Sequence, residues 1–434
     1  MKYFSLNKQS PQVNFREATL LGQAPDKGLY FPEQIPQINP DFLASLKTQS
    51  PTSIGMEIMQ PFVGDCIPPK VLEGIIKETL SFPVPLVPIT DKIASLELYH
   101  GPTLAFKDVG ARFMSRCLGY FSQERTRRVL VLVATSGDTG GAVADGFYDV
   151  EGVDVVILYP SGKVSPVQEL QLTTYGKNIH AIEVMDDFDA CQRMVKMAFA
   201  DDEIRSAIFL TSANSINVAR WLPQQLYYFI ALQQWQEKHP PIISVPSGNF
   251  GNICAGMMAA AGGLQIEHFI AAVNANDVVY NYLNTGNYNV TKAVPTLSNA
   301  MDVGDPSNFV RIMQIFGNSF PALKNNLKSY RITDDETIET ISSVYQKRGY
   351  TLDPHGAVAY LALERFLEKH QAASGFFLET AHPVKFPAAV ERGIGKPIEV
   401  PEQVKQLFNK EKLSLKMQPG GGMFKNYILD RFTQ

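Results

Sequence analysis

The chain has 434 residues, of which 45% are apolar and 19% charged, an ordinary globular composition that excludes a disordered protein. At roughly 150 residues per domain its length corresponds to about two or three domains, and a chain of this size buries roughly 75% of the surface its unfolded form exposes, so it needs no disulfide or metal for stability. Lys and Arg number 39 against 43 Asp and Glu, a net charge of −4, which speaks against a nucleic-acid partner because a large footprint on nucleic acid brings a basic excess.

The four cysteines stand alone at 66, 117, 191 and 254, without C-x-x-C spacing. A structural zinc site, a thioredoxin-like site and a secreted disulfide scaffold are therefore not expected. The opening MKYFSLNKQSPQ lacks the apolar core of a signal peptide, and no run of 18 apolar residues offers a membrane span. These features predict a cytoplasmic protein with no membrane partner.

The first 95 or so residues are rich in proline and turn signals (QAPDKG, FPEQIPQINP, SFPVPLVP) around short helical patterns such as PPKVLEGIIKETL, and read as a small mixed segment. From about residue 127 apolar runs of strand length alternate with helical stretches. The predicted strands are 129–135, 153–160, 178–184, 207–213, 242–247, 266–274 and 375–381. Several are continuous apolar runs, as in strands covered on both faces, and their alternation with helices implies βαβ units and parallel sheets. A turn-rich stretch spans about 274–310. Near the end, PGGG (419–422) reads as a flexible joint before a short amphipathic tail.

Two junctions run from a strand through a glycine loop into a helix. The first is Ser136-Gly137-Asp138-Thr139-Gly140-Gly141, with a helix predicted from about Ala142; the second is Ser247-Gly248-Asn249-Phe250-Gly251-Asn252, followed by an Ala/Met helix. Each aims backbone N–H groups and a helix N-terminus at one point, a geometry that binds phosphate or carboxylate. Neither matches the nucleoside-triphosphate or dinucleotide fingerprint. The alternative is that the glycines only close tight turns; two such loops with hydroxyl and amide side chains favour anion sites. Upstream, Lys107 follows Leu-Ala-Phe and opens the helical pattern KDVGARFMSRCL. A lysine in apolar surroundings at a helix start can act as a Schiff-base amine or general base, though alone it reads as a solvated lysine. Together, a Schiff-base lysine, a phosphate cradle and a second anion loop are the parts that a pyridoxal phosphate enzyme needs.

The residues also carry a family resemblance. GLYFP (28–32), FVGDCIP (62–68), HGPTLAFKD (100–108), ATSGDTG (134–140), SANSIN (212–217), VPSGNFGN (245–252), LSNAMDV (297–303), DPHGAVA (353–359) and TAHPVKF (380–386) occur in the order found in the threonine synthase family, and the chain resembles its longer form with an N-terminal extension. The resemblance implies an α/β, two-domain fold type II pyridoxal phosphate enzyme, with mostly parallel sheets flanked by helices and a small N-terminal α+β segment. It implies an N-terminal segment over 1–95 and a catalytic region over 96–434, in which a smaller domain (about 110–230) is inserted in a larger one (about 96–110 and 231–434), with the cofactor in the cleft between them. The implied reaction converts O-phospho-L-homoserine and water to L-threonine and phosphate, by γ-elimination and hydration at Cβ.

By the same resemblance, Lys107 is the Schiff-base lysine and the mobile base. Ser247, Gly248, Asn249, Phe250, Gly251 and Asn252 hold the cofactor phosphate, and the Thr380 hydroxyl faces the pyridine nitrogen. Ser136, Gly137 and Thr139 grip the substrate carboxylate, while Asp138 accepts from the cofactor's phenolic oxygen or from the lysine. Lys163, Asn214, Ser215, Asn217 and Arg220 receive the substrate phosphate, for which arginine offers bidentate contact. His355 and His382 read as structural, Asn299 and Asp302 as loop-shaping, and Asp186, Asp187 and Asp189 as a solvated helix start. A dehydratase on the same cofactor scaffold would need no second phosphate site, and a non-catalytic binding protein would not need Lys107. Monomer and homodimer are both compatible with the sequence.

Overall fold

The computed structural model of the chain describes residues 1–123 and 127–433. In chain order its strands are β1 (Lys2–Ser5), β2 (Val13–Asn14), β3 (Tyr30–Pro32), β4 (Leu86–Pro88), β5 (Ile93–Glu97), β6 (Val129–Ala134), β7 (Val153–Pro160), β8 (Ile179–Val184), β9 (Phe209–Ser212), β10 (Ile242–Pro246), β11 (His268–Val273), β12 (Leu327–Arg331), β13 (Gly375–Glu379) and β14 (Ser414–Met417). All seven strands predicted from apolar runs form, each within two residues of its predicted ends.

The chain forms two compact units. One comprises Met1, Phe31–Phe106 and Trp221–Glu399; the other comprises Lys2–Tyr30, Lys107–Arg220 and Val400–Gln434. The first unit is built on a six-stranded sheet of order β12-β11-β10-β13-β5-β4, parallel except for the edge strand β4. Helix Pro354–Lys369 covers one face, where Val358, Leu363 and Phe366 join Ile242, Ile270 and Phe377 in one core. The second unit has an all-parallel sheet of order β14-β8-β7-β6-β9. Leu130, Leu132, Val156 and Ile182 from this sheet pack with Met194 of helix Phe188–Ala200 and Ile428 of helix Gly421–Phe432. Every residue of β6 and β7 is buried, which explains the uninterrupted apolar sequence of β6 and the near-continuous one of β7, broken by Asp154.

At the N-terminus β1 and β2 pair antiparallel, and Asn14 and Glu17 close a capping box on helix Phe15–Leu21. Asp187 caps helix Phe188–Ala200 by accepting from the Ala190 N–H, so the acidic cluster is a helix start.

Three local expectations change. The helix after the first glycine loop begins at Asp138, not near Ala142. Gly140 and Gly141 lie inside it because the helix presses on neighbouring side chains: a Cβ on Gly140 would stand 2.5 Å from the Thr135 methyl, and one on Gly141 3.2 Å from Gln171. The PGGG joint is instead the start of helix Gly421–Phe432, where the bare Gly421 accommodates the Met197 side chain. The turn-rich stretch contains helix Val278–Thr285 and a 3-10 turn at Asn299–Met301. It is pinned by Asp302, whose Oδ1 accepts from Asn274, Asn276 and Thr296, while burial pushes its carboxyl above the usual range. Among the described residues no helix is long and apolar enough to cross a membrane.

Candidate active site

In the second unit three predicted groups lie at the carboxyl ends of adjacent parallel strands. Ser136–Thr139 follows β6, Lys163 lies in the turn after β7, and Asn214 and Ser215 follow β9. Because the order is β7-β6-β9, the glycine loop is flanked by the other two. Carboxyl ends of parallel strands are where open α/β sheets take ligands. Thr135 orders this loop: its hydroxyl accepts from the N–H groups of Gly137 (3.0 Å) and Gly140 (2.9 Å) and donates to the Gly137 carbonyl. Gly137 has φ +143°, and a Cβ there would stand 2.5 Å from Gln168 Cδ, so only glycine fits. Asp138 is buried and its Oδ1 accepts from Gln168 Nε2 at 2.9 Å. Gln168 was not singled out in the sequence, although Ser165-Pro-Val-Gln168 is a legible capping box.

Asn217 and Arg220 are buried rather than presented at a surface. The Asn217 amide donates to the Thr19 and Ser212 carbonyls and its Oδ1 accepts from the Ala219 N–H. Arg220 Nη1 donates to the Ala213 carbonyl at 2.7 Å. Both therefore shape the loop that carries Asn214 and Ser215, and Lys163 is exposed. Lys107 is half-buried at the first position of helix Lys107–Ser122, as the pattern KDVGARFMSRCL predicts.

In the first unit, β10 and β13 are direct neighbours. The second glycine loop and Thr380 thus sit at adjacent carboxyl ends. Helix Gly251–Ala261 starts from Phe250, which takes the left-handed conformation (φ +59°). Gly248 packs on the Asn299–Met301 turn, where a Cβ would stand 2.5 Å from Met301 Cα and 2.9 Å from the Ala300 carbonyl oxygen. Asn249 Oδ1 accepts from the Ser307 N–H, and its carbonyl accepts from Asn308 Nδ2. Ser247 Oγ donates to the Val245 carbonyl. Asn252 Oδ1 accepts from the Tyr228 hydroxyl at 2.7 Å, which leaves the buried Nδ2 without a partner among the described residues. An unpartnered buried donor at a helix N-terminus, beside a backbone kept bare by glycine, fits a phosphate dianion.

Thr380 is nearly buried (7% exposed). Its carbonyl accepts from the Phe106 N–H at 2.9 Å, Ala105 bridges Ala381, and the His382 N–H donates to the Leu104 carbonyl. The Tyr227 hydroxyl donates to the Phe106 carbonyl. The chain leading into Lys107 is therefore fixed on the strand end that bears Thr380.

The two histidines are engaged within the fold. His382 Nδ1 accepts from the Val384 N–H, and burial, with His100 and Lys385 nearby, pushes its pKa down to about 4. His355 Nδ1 meets Asp353 Oδ1 at 2.5 Å and its Nε2 accepts from the Ala300 N–H at 3.2 Å.

A family model for "Pyridoxal-phosphate dependent enzyme" matches residues 90–376, one for "Threonine synthase N terminus" matches 2–80, and one for "Threonine synthase, C-terminal" matches 356–428. The threonine synthase of Haemophilus influenzae is 42% identical over 431 residues, covering 99% of this chain and 100% of the relative. Among solved structures, threonine synthase from Escherichia coli superposes with a TM-score of 0.92 at 39% identity, covering 99% of this chain and 100% of that one. The PLP-bound enzyme from Brucella melitensis superposes with a TM-score of 0.94 at 35% identity over 100% of both chains. The resemblance carried by the ordered motifs thus holds from end to end, and the chain belongs to the threonine synthase family of pyridoxal-phosphate-dependent enzymes.

Proposed function

We propose that the chain converts O-phospho-L-homoserine and water to L-threonine and phosphate, with the residue roles carried by its own loops and strand ends. The observation that carries this reading is the adjacency of β10 and β13, which sets the glycine loop Ser247–Asn252 beside Thr380, with the segment leading into Lys107 hydrogen-bonded to Thr380.

Pyridoxal phosphate, when bound, supplies the electron sink that makes the substrate's α and β protons labile. Lys107 would hold the cofactor aldehyde, and its amine would move protons at the substrate's Cα and Cβ. Helix Gly251–Ala261 and Asn252 Nδ2 hold the cofactor phosphate, with Ser247 and Gly248 shaping the approach and Asn249 fixing the loop. The Thr380 hydroxyl would face the pyridine nitrogen as a neutral hydrogen-bond partner. Ser136, Gly137 and Thr139 grip the substrate carboxylate through the helix N-terminus at Asp138. Asp138, oriented by Gln168, accepts a hydrogen bond at the cofactor's phenolic side. Asn214, Ser215, Asn217, Arg220 and Lys163 receive the substrate phosphate, and Asn217 and Arg220 also order the loop that presents Asn214 and Ser215. Phosphate leaves from Cγ, water adds its oxygen at Cβ, and protons return to Cγ and Cα. The reaction takes place in the cytoplasm, in a monomer or homodimer.

Phosphorus and proton NMR of the purified protein with pyridoxal phosphate and O-phospho-L-homoserine tests the reading. Free phosphate with stoichiometric threonine is expected. Phosphate accompanied by 2-oxobutyrate would reduce the reaction to elimination, and intact substrate on cofactor-loaded protein would overturn the substrate assignment.

A further inference from the structure

Outside the residues given roles above lies a cluster of buried polar groups in the first unit. Glu379 ends β13, one residue before Thr380, and is fully buried. Its Oε1 accepts from the Asp353 N–H at 2.6 Å, while Oε2 has no partner among the described residues. Gly356 makes room for this carboxyl, since a Cβ there would overlap Oε2 and stand 2.9 Å from Oε1. Asp353 is also fully buried; its Oδ1 takes the His355 N–H at 2.7 Å and meets His355 Nδ1, and its Oδ2 takes the Gly356 N–H. His355 Nε2 then accepts from Ala300 N–H, in the turn against which Gly248 packs.

We propose that Glu379, Asp353 and His355 act as one hydrogen-bonded strut that joins the strand end bearing Thr380 to the turn supporting the glycine loop, and that they are positioning residues for the cofactor phosphate. The inference rests on the assignment of Ser247–Asn252 as the phosphate loop. Its chemistry follows from the donors. Asp353 receives the His355 and Gly356 N–H groups and faces the imidazole Nδ1, so both of its oxygens serve as acceptors. A second buried carboxylate beside it, with one oxygen unpaired, is too costly unless neutralised; burial and the Asp353 charge push the Glu379 carboxyl well above its usual range. As a neutral acid Glu379 avoids a second buried charge and still accepts the Asp353 N–H through Oε1. Asp353 holds the imidazole as the Nδ1–H tautomer. Nε2 therefore keeps the lone pair that fixes Ala300, and with it the height of the turn under Gly248.

The test compares the affinities of the purified full-length protein for pyridoxal 5′-phosphate and for pyridoxal, which lacks the phosphate. His355→Phe keeps the ring's edge-on contact with Phe386 but removes the acceptor. It is expected to weaken pyridoxal 5′-phosphate binding about tenfold, the effect of one buried hydrogen bond, and to leave pyridoxal binding unchanged. Should His355→Phe not fold, Ala300→Pro deletes the same bond from the donor's side at a partly exposed turn, with the same expectation. Glu379→Gln, whose uncharged amide accepts as the neutral acid does, retains the wild-type ratio of the two affinities, whereas Glu379→Leu does not. An unchanged ratio in the folded His355 or Ala300 variant, or Glu379→Gln as weak as Glu379→Leu, overturns the strut. Gly248→Ala separates the two readings: a lowered ratio there with none in the His355 variant removes the strut alone, and no change in either removes the loop assignment as well.

Discussion

Gly356→Ala is a sharp stability test of the packing beneath Thr380. The added methyl would overlap Glu379 Oε2 and lie 2.9 Å from Oε1. Glu379 is fully buried, and Gly356 is in the first turn of helix Pro354–Lys369, which covers β10 and β13, so neither backbone yields easily. The carboxyl must rotate away and give up the 2.6 Å bond from Asp353 N–H. Overpacking of this kind costs about 1–3 kcal/mol, and a buried donor left unpaired about 1–3 kcal/mol more. Taking about 4 kcal/mol, and roughly 2–4 °C per kcal/mol for a unit of 150–250 residues, the melting temperature falls by about 8–16 °C. Differential scanning calorimetry of the apoprotein reads the shift. The double variant Gly356→Ala/Glu379→Ser, with space restored, is expected to lose markedly less than the sum of its single variants. A Gly356→Ala protein that melts within 2 °C of wild type, or a strictly additive double variant, would refute the reasoning.

Three further outcomes are expected. Lys107→Ala abolishes both turnover and the visible absorption of the bound cofactor; a variant that kept the wild-type spectrum would remove the lysine from its role. Thr380→Val, which preserves shape and deletes the hydroxyl, lowers kcat about 10-fold or more, as loss of a hydrogen bond inside a dry site does, while melting within a few degrees of wild type; unchanged kcat and spectrum would count against the pyridine contact. His382 has a pKa near 4 in the fold against 6.5 for the free side chain. The unfolded chain therefore takes up its proton first as pH falls: the His382 contribution to stability is complete above about pH 6.5 and is lost progressively down to about pH 4. His382→Asn, which keeps an acceptor for the Val384 N–H, flattens the pH dependence of the melting temperature over that window; an unaltered slope would contradict the neutral, buried histidine.

The sequence by itself determined much of the architecture. Strands covered on both faces, such as β6 and β7, are apolar at nearly every position, so they stand out as near-continuous runs, that of β7 broken by Asp154, which pairs with Arg128. Glycine loops between a strand and a helix are legible because backbone approach and positive φ, as at Gly137, admit little else. The ordered motifs from GLYFP to TAHPVKF identified the family from residue types alone. Tertiary structure decided what depends on neighbours distant in sequence. β4, β12 and β14 are edge strands, β4 only three residues long and β12 and β14 of mixed polarity, held by pairing to β5, β11 and β8, and no local periodicity announces such strands. The placement of Ser247–Asn252 beside Thr380 follows from β10 pairing with β13, which lies more than 100 residues away in sequence. The burial of Arg220 and Asn217, the grip of Gln168 on Asp138, and the Glu379–Asp353–His355 chain have the same origin. A polar side chain's role is set by the partner that folding brings within hydrogen-bond reach, and these partners come from other strands and helices, which the sequence does not display side by side.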